Sequence, residues 1–226
     1  MKWIDKKLKN QPTSLKRHLK TPHHNYDNYK KKDELRTALL KEQGFICCYC
    51  MRRIQEPKAD KMEIEHFKAY RVYNGTNGKP NLTLDYNNLL ASCKGNEGAS
   101  KHLRHCDEYK RNDEIQINPT DKILMQKIRF NSEGHVFITE KEDIEGILNH
   151  DLNNTLNLNM QALVSDRKKI WTTLDQALRK EFGTKQPTKS FINQKLKDFS
   201  KQVDGKFAPM CQVAIYYLEK KLKYAI

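Results

Sequence analysis

Nowhere in its 226 residues does this chain gather the roughly eighteen consecutive apolar residues that a membrane span needs. Its opening residues, Met1-Lys2-Trp3-Ile4-Asp5-Lys6-Lys7, have no apolar core of the secretory-signal kind. These two absences predict a soluble, cytoplasmic protein. There is no internal repeat and no low-complexity tract, so a repeat architecture is not expected. No GxxxxGK[ST] occurs either, so a P-loop is not expected in this sequence. Apolar residues are sparse at 37% and charged ones plentiful at 31%, yet the length suffices to bury a core in one or two domains.

Cysteine, by contrast, is present and unevenly placed. Five of the six cysteines (Cys47, Cys48, Cys50, Cys93 and Cys106) fall in one stretch, which suits metal binding better than a disulfide framework. Cys211 stands apart in an apolar, helix-like segment and reads as a small buried hydrophobe. The net charge of +14 is uneven too. Residues 1–32 hold ten Lys/Arg against two acids, residues 33–120 are nearly neutral at +1, and residues 121–226 carry +5. A basic arm beside a near-neutral centre suits phosphate binding; a solvated tail that only aids solubility is the alternative.

Patterning predicts an α+β protein. Asp33 to Gly44 reads as a helix with an acidic start and a glycine stop. Met62-Glu63-Ile64-Glu65-His66-Phe67 alternates as a strand does, residues 74–81 have loop composition, and 88–93 fit a second short strand. A helix is expected from Cys106. Residues 125–130 and 135–139 flank Asn131-Ser132-Glu133-Gly134 as a hairpin, followed by three helices near 159–182, 188–203 and 208–224. Gln11-Pro12 and Thr21-Pro22 argue against helix near the N-terminus, which is expected to be an extended arm. The expected division is an arm at 1–32, a metal-stapled core at 33–120, and a hairpin with a helical subdomain at 121–226.

Cys47-x-x-Cys50 is a knuckle that sets two thiolates on one ion, and Cys93 with Cys106 supplies a second, wider pair. Four thiolates close a tetrahedral, structural zinc site. Cys48 competes with Cys47, and His102 and His105 are alternative ligands near the second pair. Glu65-His66 is the chemical candidate. A neutral histidine takes a proton from water at pH 7, and the adjoining carboxylate holds a hard divalent cation. Neighbouring strand residues face opposite ways, so the pair needs a strand end to converge. Asn88, or its neighbour Asn87, is a candidate to orient the histidine, although Asp85-Tyr86-Asn87-Asn88 also reads as a plain turn. Asp107 is a candidate second ion ligand or a simple helix-start acid, and Lys110 a candidate phosphate contact.

Taken together, Cys47/Cys50, Glu65-His66, Asn88-Leu89, Cys93, Cys106-Asp107 and Lys110 resemble the HNH, or ββα-metal, endonuclease family. More narrowly the chain is similar to the HNH nucleases of retron and Septu anti-phage systems, the PtuB type, from about residue 35 onward. Gln43-Gly44, Tyr86-Asn87-Asn88-Leu89, Ile117-Asn118-Pro119 and Leu156-Asn157-Leu158-Asn159 add to the likeness. The resemblance implies a ββα-metal core with structural Zn²⁺ and a catalytic Mg²⁺ or Mn²⁺ held by Glu65 and Asp107. It implies His66 as general base, Asn88 as its orienting group, and nucleic acid (DNA, or tRNA) as substrate. It also implies an ABC-type ATPase partner of the PtuA kind, for which Met210, Val213, Ala214, Tyr217 and Leu218 offer a docking stripe unless they are simply core. Asp107 departs from the family, which often has His or Asn there, so His105 is a rival ion ligand. The stretch between Cys93 and Cys106, with Lys101 and Arg104, is a candidate substrate-contacting insertion. The competing functions are a non-catalytic zinc module that binds nucleic acid and a toxin-like RNase on the same scaffold.

Overall fold

The computed structural model describes all residues, 1–226. After Pro12 a short helix, α1 (Thr13–His18), leads by a loop into α2 (Lys32–Glu42). Asp33 and Glu34 in the first turn of α2 and Lys41 in its last complement the helix dipole. Gly44 ends the helix at φ +61°, with the Phe45 amide donating back to the Leu40 carbonyl. A Cβ there would also collide with the Phe207 ring, so this position requires glycine on two counts.

The strands β1 (Met62–His66) and β2 (Leu89–Cys93) form an antiparallel pair. In its register Met62 faces Cys93 and His66 faces Leu89. At about 3.4 Å per residue, the two ends of this ladder are roughly 14 Å apart. The cysteine end and the histidine end of the sheet are thereby separated. Gln43 fastens α2 to the middle of β2, its side chain accepting from the Ala91 amide at 2.7 Å and donating to the Ala91 carbonyl at 2.9 Å. The short helix α3 (Asp107–Lys110) completes a strand–strand–helix order.

Beyond it come α4 (Lys122–Gln126), capped by Asp121, and a two-residue hairpin of β3 (Arg129–Phe130) with β4 (Val136–Phe137). Next are α5 (Ile147–His150), running into a π-helical turn, and α6 (Gln161–Phe182). The chain ends with α7 (Lys189–Ser200), capped by Thr188, and α8 (Cys211–Leu222). The hairpin is shorter than its sequence suggested because Met125 belongs to α4. No helix is long and apolar enough to cross a membrane.

The N-terminal stretch is not an extended arm. Met1, Ile4, Leu15 and Tyr29 are buried in the principal core. The Ile4 amide donates to the Pro119 carbonyl, and Lys6 reaches Glu42 and the Leu89 carbonyl. Pro12 starts α1 instead of preventing it, since proline is tolerated where a helix begins. The same core takes in Leu35 and Leu39 of α2, both strands, Met125, Phe130 and Leu163, as well as Cys211 and Val213. All three stretches of the sequence therefore share one interior. The apolar stripe Met210, Val213, Ala214, Tyr217, Leu218 is buried, Tyr217 and Leu218 against α6 and α7, and offers no free docking face.

Candidate metal and catalytic centre

Two centres occupy the two ends of the β1–β2 ladder. At the first, the knuckle Cys47–Cys50 closes on itself, with the Met51 amide donating to the Cys47 carbonyl. Cys93 ends β2, and Cys106, at φ +57°, caps α3 while its amide donates to the Leu156 carbonyl. The four sulfurs lie within 4.8 Å of one another. Cys47 Sγ stands 3.8 Å from Cys106 Sγ, and Cys50 Sγ 3.7 Å from Cys93 Sγ. A tetrahedral zinc with bonds of about 2.3 Å separates its sulfurs by about 3.8 Å. The spacing therefore fits structural Zn²⁺, and the donor set leaves no open coordination position. All four are free thiols, and hydrogen bonding with Cys106 draws the Cys50 thiol down to about 7. Cys48 is outside the cluster, its thiol pushed well up by burial.

His105 belongs to this end. Its Nδ1 lies 3.1 Å from Cys106 Sγ and 4.0 Å from Cys93 Sγ, so it is a neighbour of the thiols and not a companion of Glu65. His102 is exposed and takes no part. Asn157 explains part of the Leu-Asn-Leu-Asn motif: its side-chain amide donates to the carbonyls of His102 and Arg104 and pins the wide second knuckle.

At the second centre, Glu65 is buried. Its Oε1 accepts from the Tyr49 hydroxyl at 2.6 Å and from Lys110 Nζ at 2.9 Å. Asp107 opens α3 beside it. Burial, reinforced by the neighbouring Glu65 charge, pushes the Asp107 carboxyl well above its usual range. Carboxyl oxygens such as those of Glu65 and Asp107 are the donor type that hard divalent cations take. Lys110 is not a phosphate contact as expected. It is fully buried, and its ammonium also donates to the His66 carbonyl at 3.1 Å.

His66 ends β1, where the ladder stops and adjacent side chains can diverge from strict alternation. Its Nε2 donates to the Thr83 carbonyl at 3.0 Å, which leaves Nδ1 with its lone pair. Burial lowers its pKa, favouring the neutral ring. Tyr26 and Tyr70 pack edge-on against the imidazole at centroid distances of 4.7 and 5.4 Å. Asn88 does not touch the ring. Its Nδ2 donates to the Lys68 and Leu82 carbonyls and its Oδ1 accepts from the Lys68 amide. It thereby closes the 68–88 loop that also carries Thr83, the backbone partner of His66. Asn87 is exposed, and its backbone amide donates to Asp85 Oδ1 in the turn.

The chain has a partial relative. Over 63 residues, 28% of its length, the chain is 38% identical to the Septu protein PtuB of Bacillus thuringiensis. The match covers 22% of PtuB, about a fifth of that protein's length. No family model matches the chain.

Several participants at the two centres escaped the sequence reading. Tyr49 sits inside the Cys-Cys-Tyr-Cys knuckle and was visible there as the one large polar residue. Thr83 acts through its backbone, for which sequence carries no signal. Tyr26 lies in the stretch read as an arm. Of the residues expected to touch nucleic acid, Lys101 is exposed. Arg104 is occupied by the Ala99 carbonyl at 2.7 Å and by Glu108 at 3.0 Å, so its guanidinium staples its own loop.

Proposed function

We propose that this chain is a metal-dependent endonuclease of the HNH type, hydrolysing phosphodiester bonds as the nuclease of a Septu- or retron-like anti-phage system that includes an ABC-type ATPase. The observation that carries the reading is His66. It is a buried, neutral imidazole with Nε2 tied to a carbonyl and Nδ1 unclaimed, adjoining in sequence a carboxylate that is itself paired with a second one. The strand–strand–helix order, the four-thiol cluster and the partial likeness to PtuB support it.

In this reading His66 Nδ1 accepts the proton of a water that attacks phosphorus, while the bond to the leaving 3′ oxygen breaks. Glu65 and Asp107 would hold Mg²⁺ or Mn²⁺, which when bound neutralises charge on the phosphate and the departing oxygen. Lys110 balances the buried Glu65 charge, and Tyr49 fixes the same Glu65 oxygen. The Thr83 carbonyl holds the His66 tautomer. The four-cysteine site is structural and takes no part in the chemistry.

The test is cleavage of plasmid DNA and of bulk tRNA by wild type and His66→Ala, with and without Mg²⁺. Removing one general base is expected to slow cutting by about 10²–10⁴-fold. Equal cutting by the variant, or no cutting by wild type with either Mg²⁺ or Mn²⁺, argues for a non-catalytic zinc module instead. The preferred substrate separates a DNase from an RNase.

A further inference from the structure

A groove of about 590 Å³ runs between the N-terminal residues, α4 and α8, and shares no residue with either centre. Five bases line it: Lys2, Lys122, Arg129, Lys220 and Lys223. The acid on its wall is Glu219, whose carboxyl is faced by Arg129 and Lys223. Arg129 is further paired with Glu142 at 3.2 Å.

The four lysines are different. The chain forms eighteen ion pairs, and Lys2, Lys122, Lys220 and Lys223 enter none of them. Three of these lysines lie over aromatic rings instead. Lys122 is 5.0 Å from the Trp3 ring and Lys220 is 5.8 Å from that of Tyr216, both rings of the groove wall; Lys2 is 4.4 Å from Phe207. Trp3 is 36% exposed, and its indole N–H is tied to the Thr120 carbonyl at 3.2 Å. A large aromatic ring is thus held in place on the wall of a basic groove.

Unpaired ammonium groups concentrated in a concave surface attract a polyanion, and an anchored indole with a nearby phenol supplies faces on which bases stack. The volume lies in the range of pockets that hold small organic ligands, enough for one or two nucleotide units. We propose that this groove binds a single strand of nucleic acid, with Lys122, Lys220 and Lys223 on phosphates and Trp3 as a stacking platform. An acidic protein segment would satisfy the lysines and leave the indole unused. The inference does not rest on the nuclease reading.

The experiment uses the full-length, zinc-loaded chain with His66→Ala in every sample, so that the probe is not cut. Fluorescence anisotropy of a labelled fifteen-residue oligo-dT is followed as salt is raised. Lys122→Gln/Lys220→Gln/Lys223→Gln is compared with Lys180→Gln/Lys185→Gln/Lys189→Gln, which removes equal charge from exposed positions outside the groove. At about 0.7 in log–log salt slope per contact on single strands, the groove variant is expected to lose about two units of slope and at least tenfold in affinity. The control variant should lose far less. Trp171→Phe leaves Trp3 as the sole tryptophan, whose fluorescence the oligonucleotide should quench. Equal losses in the two variants, no quenching of Trp3, or displacement of the probe by poly-glutamate as readily as by unlabelled oligo-dT would overturn the proposal. Circular dichroism melts confirm that each variant is folded.

Discussion

Lys110 Nζ lies 2.9 Å from Glu65 Oε1, and neither side chain reaches solvent. Asp107 adjoins Glu65, and burial beside that charge pushes its carboxyl well above the usual range. Buried pairs of this kind add little net stability over an apolar substitute, but removing one partner strands the other.

Lys110→Met is therefore expected to destabilise the fold by about 3–5 kcal/mol. If the carboxylates form a divalent-ion site, millimolar Mg²⁺ should raise the melting temperature of this variant more than that of wild type, because the ion supplies the missing positive charge. Thermal melts with and without Mg²⁺ read both effects. An identical Mg²⁺ response in the two proteins would remove Glu65 and Asp107 as ion ligands.

Asn88→Ala tests whether the asparagine serves His66 through the loop. Its three hydrogen bonds to Lys68 and Leu82 go to backbone groups, which are left unsatisfied in the variant at a cost of about 1–3 kcal/mol. Urea denaturation measures that loss. Long-range ¹⁵N NMR of the imidazole should show the Nε2–H form of His66 in wild type and a mixture of tautomers in the variant, as the Thr83 carbonyl loses its fixed place.

What the sequence disclosed and what it hid follow a physical line. Cys47, Cys50, Cys93 and Cys106 were legible because metal ligands are few, chemically distinctive and spaced by short knuckles. The strand 62–66 was legible from its alternation and the three C-terminal helices from apolar spacing and, in the last two, flanking prolines, whereas 89–93 is a short apolar run buried on both faces. The role of Lys110 was not: a lysine after a helix start reads as a surface cation, and only burial between Glu65 and the His66 carbonyl changes that. Asn88 was expected beside His66, but its side chain bonds the Lys68 and Leu82 backbone, and carbonyls and amides that any residue carries leave no mark in sequence. The N-terminal stretch misled most. Its lysines dominate the composition, while the residues that dock it, Met1, Ile4, Leu15 and Tyr29, are too widely spaced to show a period.

The thiol cluster predicts an asymmetry between adjacent cysteines. Cys50→Ser should lower the bound zinc well below one per chain and cost most of the folding stability, since structural zinc binding is folding energy. Cys48→Ala should keep its zinc and lose no more than about 1.5 kcal/mol, the cost of a small core change. Metal analysis beside thermal melts separates them. Equal zinc loss in both would mean that Cys48 belongs to the ligand set.

The docked N-terminal stretch leads to the last prediction. If residues 1–31 were a charged tail, neutralising charge would matter and trimming an apolar side chain would not. In this structure Leu15 has no exposed surface, whereas Lys9, Lys16 and Lys20 are exposed. Leu15→Ala should cost about 2–5 kcal/mol through lost burial and the cavity it leaves. The triple variant Lys9→Gln/Lys16→Gln/Lys20→Gln should stay within about 0.5 kcal/mol per site, as surface changes do. Deleting residues 1–31 removes Met1, Ile4, Leu15 and Tyr29 from the core together and strips the Tyr26 ring from His66, so the truncated chain is expected to be unfolded or insoluble. A truncated chain that melts cooperatively near the wild-type temperature would show that the stretch adds nothing to the core.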